Sequence, residues 1–129
     1  SLPETWLRLI TPTRRAGYQA VNELMSLPLP PTAIITDSDL SGDGAAISLL
    51  LSDHLYGEHA VSLVVYDGLP QDSIIELDVA AVLQSTRERV GRQVADMIRK
   101  LITDVSPETL QVLWQPDFNP GKTALPPSS

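Results

Sequence analysis

Two short apolar runs, each closed by a carboxylate, constrain the possible folds of this chain more than any other feature. Pro31-Thr-Ala-Ile-Ile-Thr36 leads into Asp37-Ser-Asp39, and Val61-Ser-Leu-Val-Val65 leads through Tyr66 into Asp67-Gly68. Runs this short and this rich in β-branched residues suit strands of a buried parallel sheet. Ile47, Leu50, Leu51 and Leu55 fall between them at helical spacing, as a crossover helix requires. The alternation predicts an α/β fold with a parallel sheet in α/β/α layers. Both acidic turns then sit at the carboxyl ends of their strands, the edge at which open α/β sheets bind ligands.

The remaining pattern extends the alternation. Trp6–Ile10 is expected as a strand, and Thr13 to Leu27 as a helix whose apolar face carries Tyr18, Val21, Leu24 and Met25. Leu27-Pro-Leu-Pro-Pro31 stops it, because proline cannot continue a helix. The next helix is expected to take Ser41 as its cap, to run to about Leu55 and to end on a left-handed Gly57. Leu49 widens its apolar stripe beyond what one sheet face needs, and the surplus reads as a second buried contact, between subunits. A loop over Gly68 to Ser73 precedes another extended stretch near Leu77 to Leu83. Ser85-Thr-Arg-Glu88 then forms a capping box for a helix with the stripe Val90, Val94, Met97, Ile98, Leu101 and Ile102. Leu110–Trp114 is expected as a last strand. The segment from Pro116 is irregular by composition and expected to fray at its end.

Bulk properties exclude several classes. Acidic residues outnumber basic ones 16 to 9, giving a net charge of −7, which opposes direct binding to nucleic acid. Cysteine is absent, so there is no disulfide framework or thiolate site, and a reducing compartment such as the cytoplasm fits. No apolar run is long enough to span a membrane. The chain opens on Ser1 rather than Met, as an excised or processed piece would.

Three chemical motifs are imitated without being completed. Asp37-Ser-Asp39-Leu-Ser41-Gly42 mimics the start of a calcium loop, but the closing bidentate Glu would fall at Ser48 and a strand precedes it. Gly121-Lys122-Thr123 mimics the end of a phosphate loop, but its first glycine would fall at Pro116 and no helix follows. His54 and His59 have no further ligands at suitable spacing, so no metal and no cofactor are expected. Asp37, Asp39 and Asp67 could form a catalytic carboxylate set. Solvated or capping acids are the commoner reading, and no catalytic residue is assigned.

Four blocks in order carry a family resemblance: Gly17-Tyr-Gln-Ala-Val-Asn-Glu-Leu-Met-Ser-Leu-Pro28, Pro31 through Gly44, Val61 through Gly68, and Val79-Ala-Ala-Val-Leu-Gln84 with Gly91 following. From about Trp6 to Thr123 the chain resembles the lactose/galactose repressor family of bacterial transcription regulators. That resemblance implies part of a type I periplasmic-binding-protein-like effector domain. Residues 1–84 would form the later effector-binding subdomain. Residues 85–115 would form a helix and strand that pack on the absent first subdomain, and 116–129 a tail. The helix-turn-helix headpiece that reads operator DNA would lie outside the chain.

The same resemblance implies site residues. Asp67 matches an acid that accepts hydrogen bonds from the effector, and Ser38-Asp39 matches a usual Asn-Asp pair. Pro12 stands where several members carry an aromatic ring, and Gln84 matches a hinge at the crossing between subdomains. Ile47, Leu50 and Leu51 are expected at a homodimer face. The implied function is sensing a small molecule, usually a sugar or nucleoside, in a cytoplasmic, non-enzymatic regulator. A secreted solute-binding protein shares the fold and is the alternative, and a hydrolase using the acidic edge is a third. With the first subdomain absent, the apolar helix after Gln84 is expected either to self-associate or to refold onto its own sheet.

Overall fold

The computed structural model describes residues 2–126. They divide into two units, one running to Leu83 and resuming at Phe118, the other spanning Gln84–Asp117. The first contains strands β1 (Ala33–Thr36), β2 (Ser62–Tyr66) and β3 (Ala80–Leu83), and helices α1 (Arg14–Met25) and α2 (Asp39–Leu51). A short β4 (Asp117–Asn119) completes a sheet of order β1-β2-β3-β4. The first three strands are parallel, with Thr36 opposite Val65 and Tyr66 opposite Val82. The predicted α/β class and parallel sheet are therefore present.

Alternation along the strands sends Ile34, Leu63 and Val65 to one face, where they meet Val21 of α1 and Ala45 and Leu49 of α2 in one core. The helices cross backbone to backbone. A Cβ built on Gly17 would lie 2.1 Å from the Ser41 carbonyl oxygen, and one on Gly44 would lie 1.9 Å from that of Arg14. Only glycine permits that approach.

Several boundaries differ from expectation, each for a local reason. The cap of α2 is Ser38, whose hydroxyl accepts from the Ser41 amide at 3.2 Å; Ser41 itself is buried inside the helix. Asp53 is the left-handed stop, at φ 57°, and lets the His54 amide reach the Leu49 carbonyl at 2.8 Å. Gly57 is left-handed too, but in the loop beyond. The stripe is also rotated from the one expected. Leu49 is wholly buried whereas Leu51 is 71% exposed, because the face bearing the small residues Gly42, Ala45 and Ala46 is the one that can press onto the sheet.

The Trp6–Ile10 strand does not form. A 3-10 turn covers Glu4–Trp6, Leu7 after it is extended, and residues 7–10 join no strand of the sheet. A groove of about 890 Å³, lined by Leu7–Thr11 and by the β1 residues Ala33–Thr36, leaves both sides without a neighbour. Ile35, on edge strand β1, is 79% exposed. The segment from Pro116 is less irregular than its composition implies. It contributes β4, and Thr123 is buried between Leu63 and Ala80. The fraying expected of the last residues concerns 127–129, which lie outside the described residues.

The second unit is built on α3 (Arg87–Ile102). Its cap is Thr86 rather than Ser85, with the Thr86 hydroxyl accepting from the Arg89 amide at 3.2 Å. That shift leaves Glu88 too close to the cap to complete a box, and it pairs with Arg92 at 2.7 Å instead. No residue of α3 is buried, and Val90, Val94, Ile98 and Leu101 of its stripe are exposed. Leu110–Trp114 is not a strand either. A 3-10 turn over Pro107–Leu110 gives way to extended chain, and the Arg89 guanidinium lies 4.6 Å over the Trp114 ring.

Candidate functional site

Because β1 and β2 are parallel and in register, the segments leaving their carboxyl ends emerge on the same edge of the sheet. This edge brings Asp37, Ser38 and Asp39 together with Asp67 as neighbours in the topology. Asp39 opens α2, where a carboxylate is favoured by the helix dipole, and its Oδ1 accepts from the Leu40 amide at 2.7 Å. The Ser38 hydroxyl is occupied by its capping bond and by the Ser41 hydroxyl at 2.7 Å.

Asp67 follows β2 in the left-handed region, at φ 66°, with its amide bonded to the Val82 carbonyl at 2.9 Å. Its residue is exposed on the edge. Pro12 is exposed in the turn before α1, next to Thr13, whose hydroxyl caps that helix. Gln84 is the first residue of the second unit, where the two units join. Ile47 is half-buried on α2, and Leu50 and Leu51 are exposed near its end.

A charged cluster that sequence reasoning missed lies beside this edge. Asp43, only 1% exposed, accepts from Arg14 Nε at 2.7 Å and from the Ser73 hydroxyl at 2.6 Å. Arg14 also pairs through Nη2 with Asp72. Asp43 and then Asp72 raise the Arg14 guanidinium above its ordinary value, so it is a permanent cation here. The available signal was a lone acid inside the apolar run from Leu40 to Leu51, since a buried carboxylate must find a partner.

His54 and His59 share a smaller cavity of about 250 Å³ with Met25, beside the residues leading into β1 and β2. Among the described residues no group of three potential ligands could hold a metal ion.

A parallel sheet with acidic side chains at its carboxyl edge is the arrangement of an open α/β domain whose strand ends border a ligand crevice. Residues 2–122 match the family described as periplasmic binding proteins and sugar binding domain of LacI family, and the chain belongs to it. It is 68% identical over 127 residues to the HTH-type transcriptional regulator RafR of Escherichia coli, covering 98% of this chain and 38% of that protein. The chain thus spans well under half the length of that relative.

A crystal structure of a putative transcriptional regulator from Yersinia pestis biovar Microtus aligns with a TM-score of 0.88 at 45% identity, over 94% of this chain and 43% of that one. A LacI family transcriptional regulator from Lactobacillus casei, solved with bound glucose, shares the fold. Its TM-score is 0.57 at 22% identity, over 91% of this chain and 40% of that one.

Proposed function

We propose that this chain is the effector-binding and dimerising portion of a bacterial transcription regulator that senses a sugar or related metabolite. The observation that carries the reading is the placement of Asp39 and Asp67 at the carboxyl ends of adjacent parallel strands. An ionised carboxylate accepts hydrogen bonds from two hydroxyls of one sugar, which suits Asp67 to the principal contact. Asp39 is the second acceptor, Pro12 offers an apolar face, and Ser38 acts chiefly through the cap it provides. No step here requires catalysis.

In the intact regulator the effector bridges two subdomains, with Gln84 at the hinge, and favours one relative orientation by its difference in affinity for the two. Operator DNA is read through a headpiece outside this chain, consistent with the net charge of −7. Among the described residues no helix is long and apolar enough to cross a membrane; the cytoplasmic location we assign is supported by similarity to an HTH-type transcriptional regulator. A solute-uptake role shares the fold, but similarity to an HTH-type regulator favours regulation.

The regulator is a homodimer in this reading, with Ile47, Leu50 and Leu51 at its face. Titration calorimetry with D-glucose, D-galactose, maltose and sucrose tests the site. At least one sugar is expected to bind the intact regulator, and Asp67→Asn to weaken it more than tenfold, about 1.4 kcal/mol or more. Unchanged affinity in Asp67→Asn sinks the site assignment. Leu51→Asp is expected to dissociate the dimer, and unaltered sedimentation would refute that face.

A further inference from the structure

We propose that Arg14 and Asp43 are positioning residues for the effector site, acting as a clamp that fixes the loop leaving Asp67 against the amino ends of α1 and α2. The inference rests on the proposed effector reading of the strand carboxyl edge and adds to it a device that touches no ligand. Arg14 occupies the first position of α1, where the helix dipole disfavours a cation, so its placement calls for another partner. That partner is Asp43, the one charged side chain among the buried residues described.

Asp43 spends both carboxylate oxygens. Oδ2 accepts from Arg14 Nε at 2.7 Å, and Oδ1 accepts from the Ser73 hydroxyl at 2.6 Å. Arg14 uses its second arm on Asp72, so the loop is tied twice, once to each helix. The Ser73 hydroxyl also receives the Ile75 amide at 3.1 Å, and the Ser73 amide donates to the Pro70 carbonyl at 3.0 Å, which fixes the loop's own turn.

The anchoring helices cannot slide, because Gly44 of α2 meets the Arg14 carbonyl at backbone contact. One buried carboxylate thereby couples three segments that border the site: the turn after Pro12, the first turns of α2 after Asp39, and the loop that starts at Asp67.

Removing Arg14 or Asp43 outright leaves a buried charge or an unfilled site and could unfold the domain, so the loop ties are the better probes. Ser73→Ala and Asp72→Ala cut them while leaving the Arg14–Asp43 pair intact. In hydrogen exchange on the 129-residue chain, Ser73→Ala is expected to speed exchange over 68–75 about tenfold, with α2 unchanged, and Ser73→Thr to restore protection. In the intact regulator the affinity for whichever of D-glucose, D-galactose, maltose and sucrose binds, measured well below the lowered melting temperature of Ser73→Ala, is expected to fall about tenfold in that variant and to recover in Ser73→Thr.

Unchanged loop exchange in both Ser73→Ala and Asp72→Ala overturns the clamp. Faster exchange with undiminished sugar affinity overturns its positioning role. If the unaltered regulator binds none of these sugars, the effector reading and the positioning role fall together, while the exchange result still decides whether the clamp holds the loop.

Discussion

Thr123 shows how much can depend on one side chain in an unpromising segment. Its hydroxyl accepts from the Ala80 amide at 2.8 Å and donates to the Leu63 carbonyl at 2.6 Å, both away from water. Thr123→Val keeps the shape and strands both backbone groups, at about 1–3 kcal/mol each. Urea denaturation is expected to show a lower midpoint with an unchanged slope, and Thr123→Ser to restore most of the loss. Nothing in the sequence announces this residue, which sits between Gly121 and a run ending in prolines. Asp43 is hidden for a related reason, since its partner Arg14 lies 29 positions away and only the fold brings them together. Asp39 and Asp67, by contrast, were legible, because strand-to-helix punctuation alone places them on one edge once the strands are parallel.

Among the elements, the α1–α2 crossing and α3 make opposite demands on glycine. Gly44→Ala forces a Cβ into the Arg14 backbone, so the helices must separate and the core between them must open. That variant is expected to lose cooperative thermal unfolding or to melt far below the parent. Gly91→Ala, on α3 with nothing within 4 Å of the added carbon, is expected to gain about 0.5–1 kcal/mol from helix propensity alone. Within α3, Lys100 and then Arg99 hold the Asp96 carboxyl below its ordinary value of 3.8. A depressed folded value means the contribution is present above 3.8 and lost as pH falls through the lower folded value. Circular dichroism of a peptide spanning residues 84–104 should therefore lose helicity on acidification below that range, with a smaller step in Asp96→Asn. Helices were the readiest elements to read, through Thr13 and the stripe of α3. The two missing strands were not, because an apolar run becomes a strand only beside a partner, and among the described residues Trp6–Ile10 and Leu110–Trp114 have none in the sheet.

For the molecule as a whole, two features leave apolar surface in water: the unpaired side of β1 and the stripe on α3. Val90, Val94, Ile98, Leu101 and Ile102 are 38–78% exposed along one helix, a contiguous apolar stripe of the kind that marks an association surface. Sedimentation velocity of the 129-residue chain should show concentration-dependent association, reduced when Val94 and Ile98 are both changed to Lys; a single monomeric boundary at all concentrations would contradict this. The sheet also has an order in time. Leu63 enters its strand 60 residues before the hydroxyl that donates to its carbonyl exists, and Ala80 waits 43 residues for the same group to accept from its amide. On the ribosome, β2 and β3 can pair through their own backbones as soon as both have emerged, whereas the bridge that Thr123 adds across them must wait until that residue has cleared the exit tunnel.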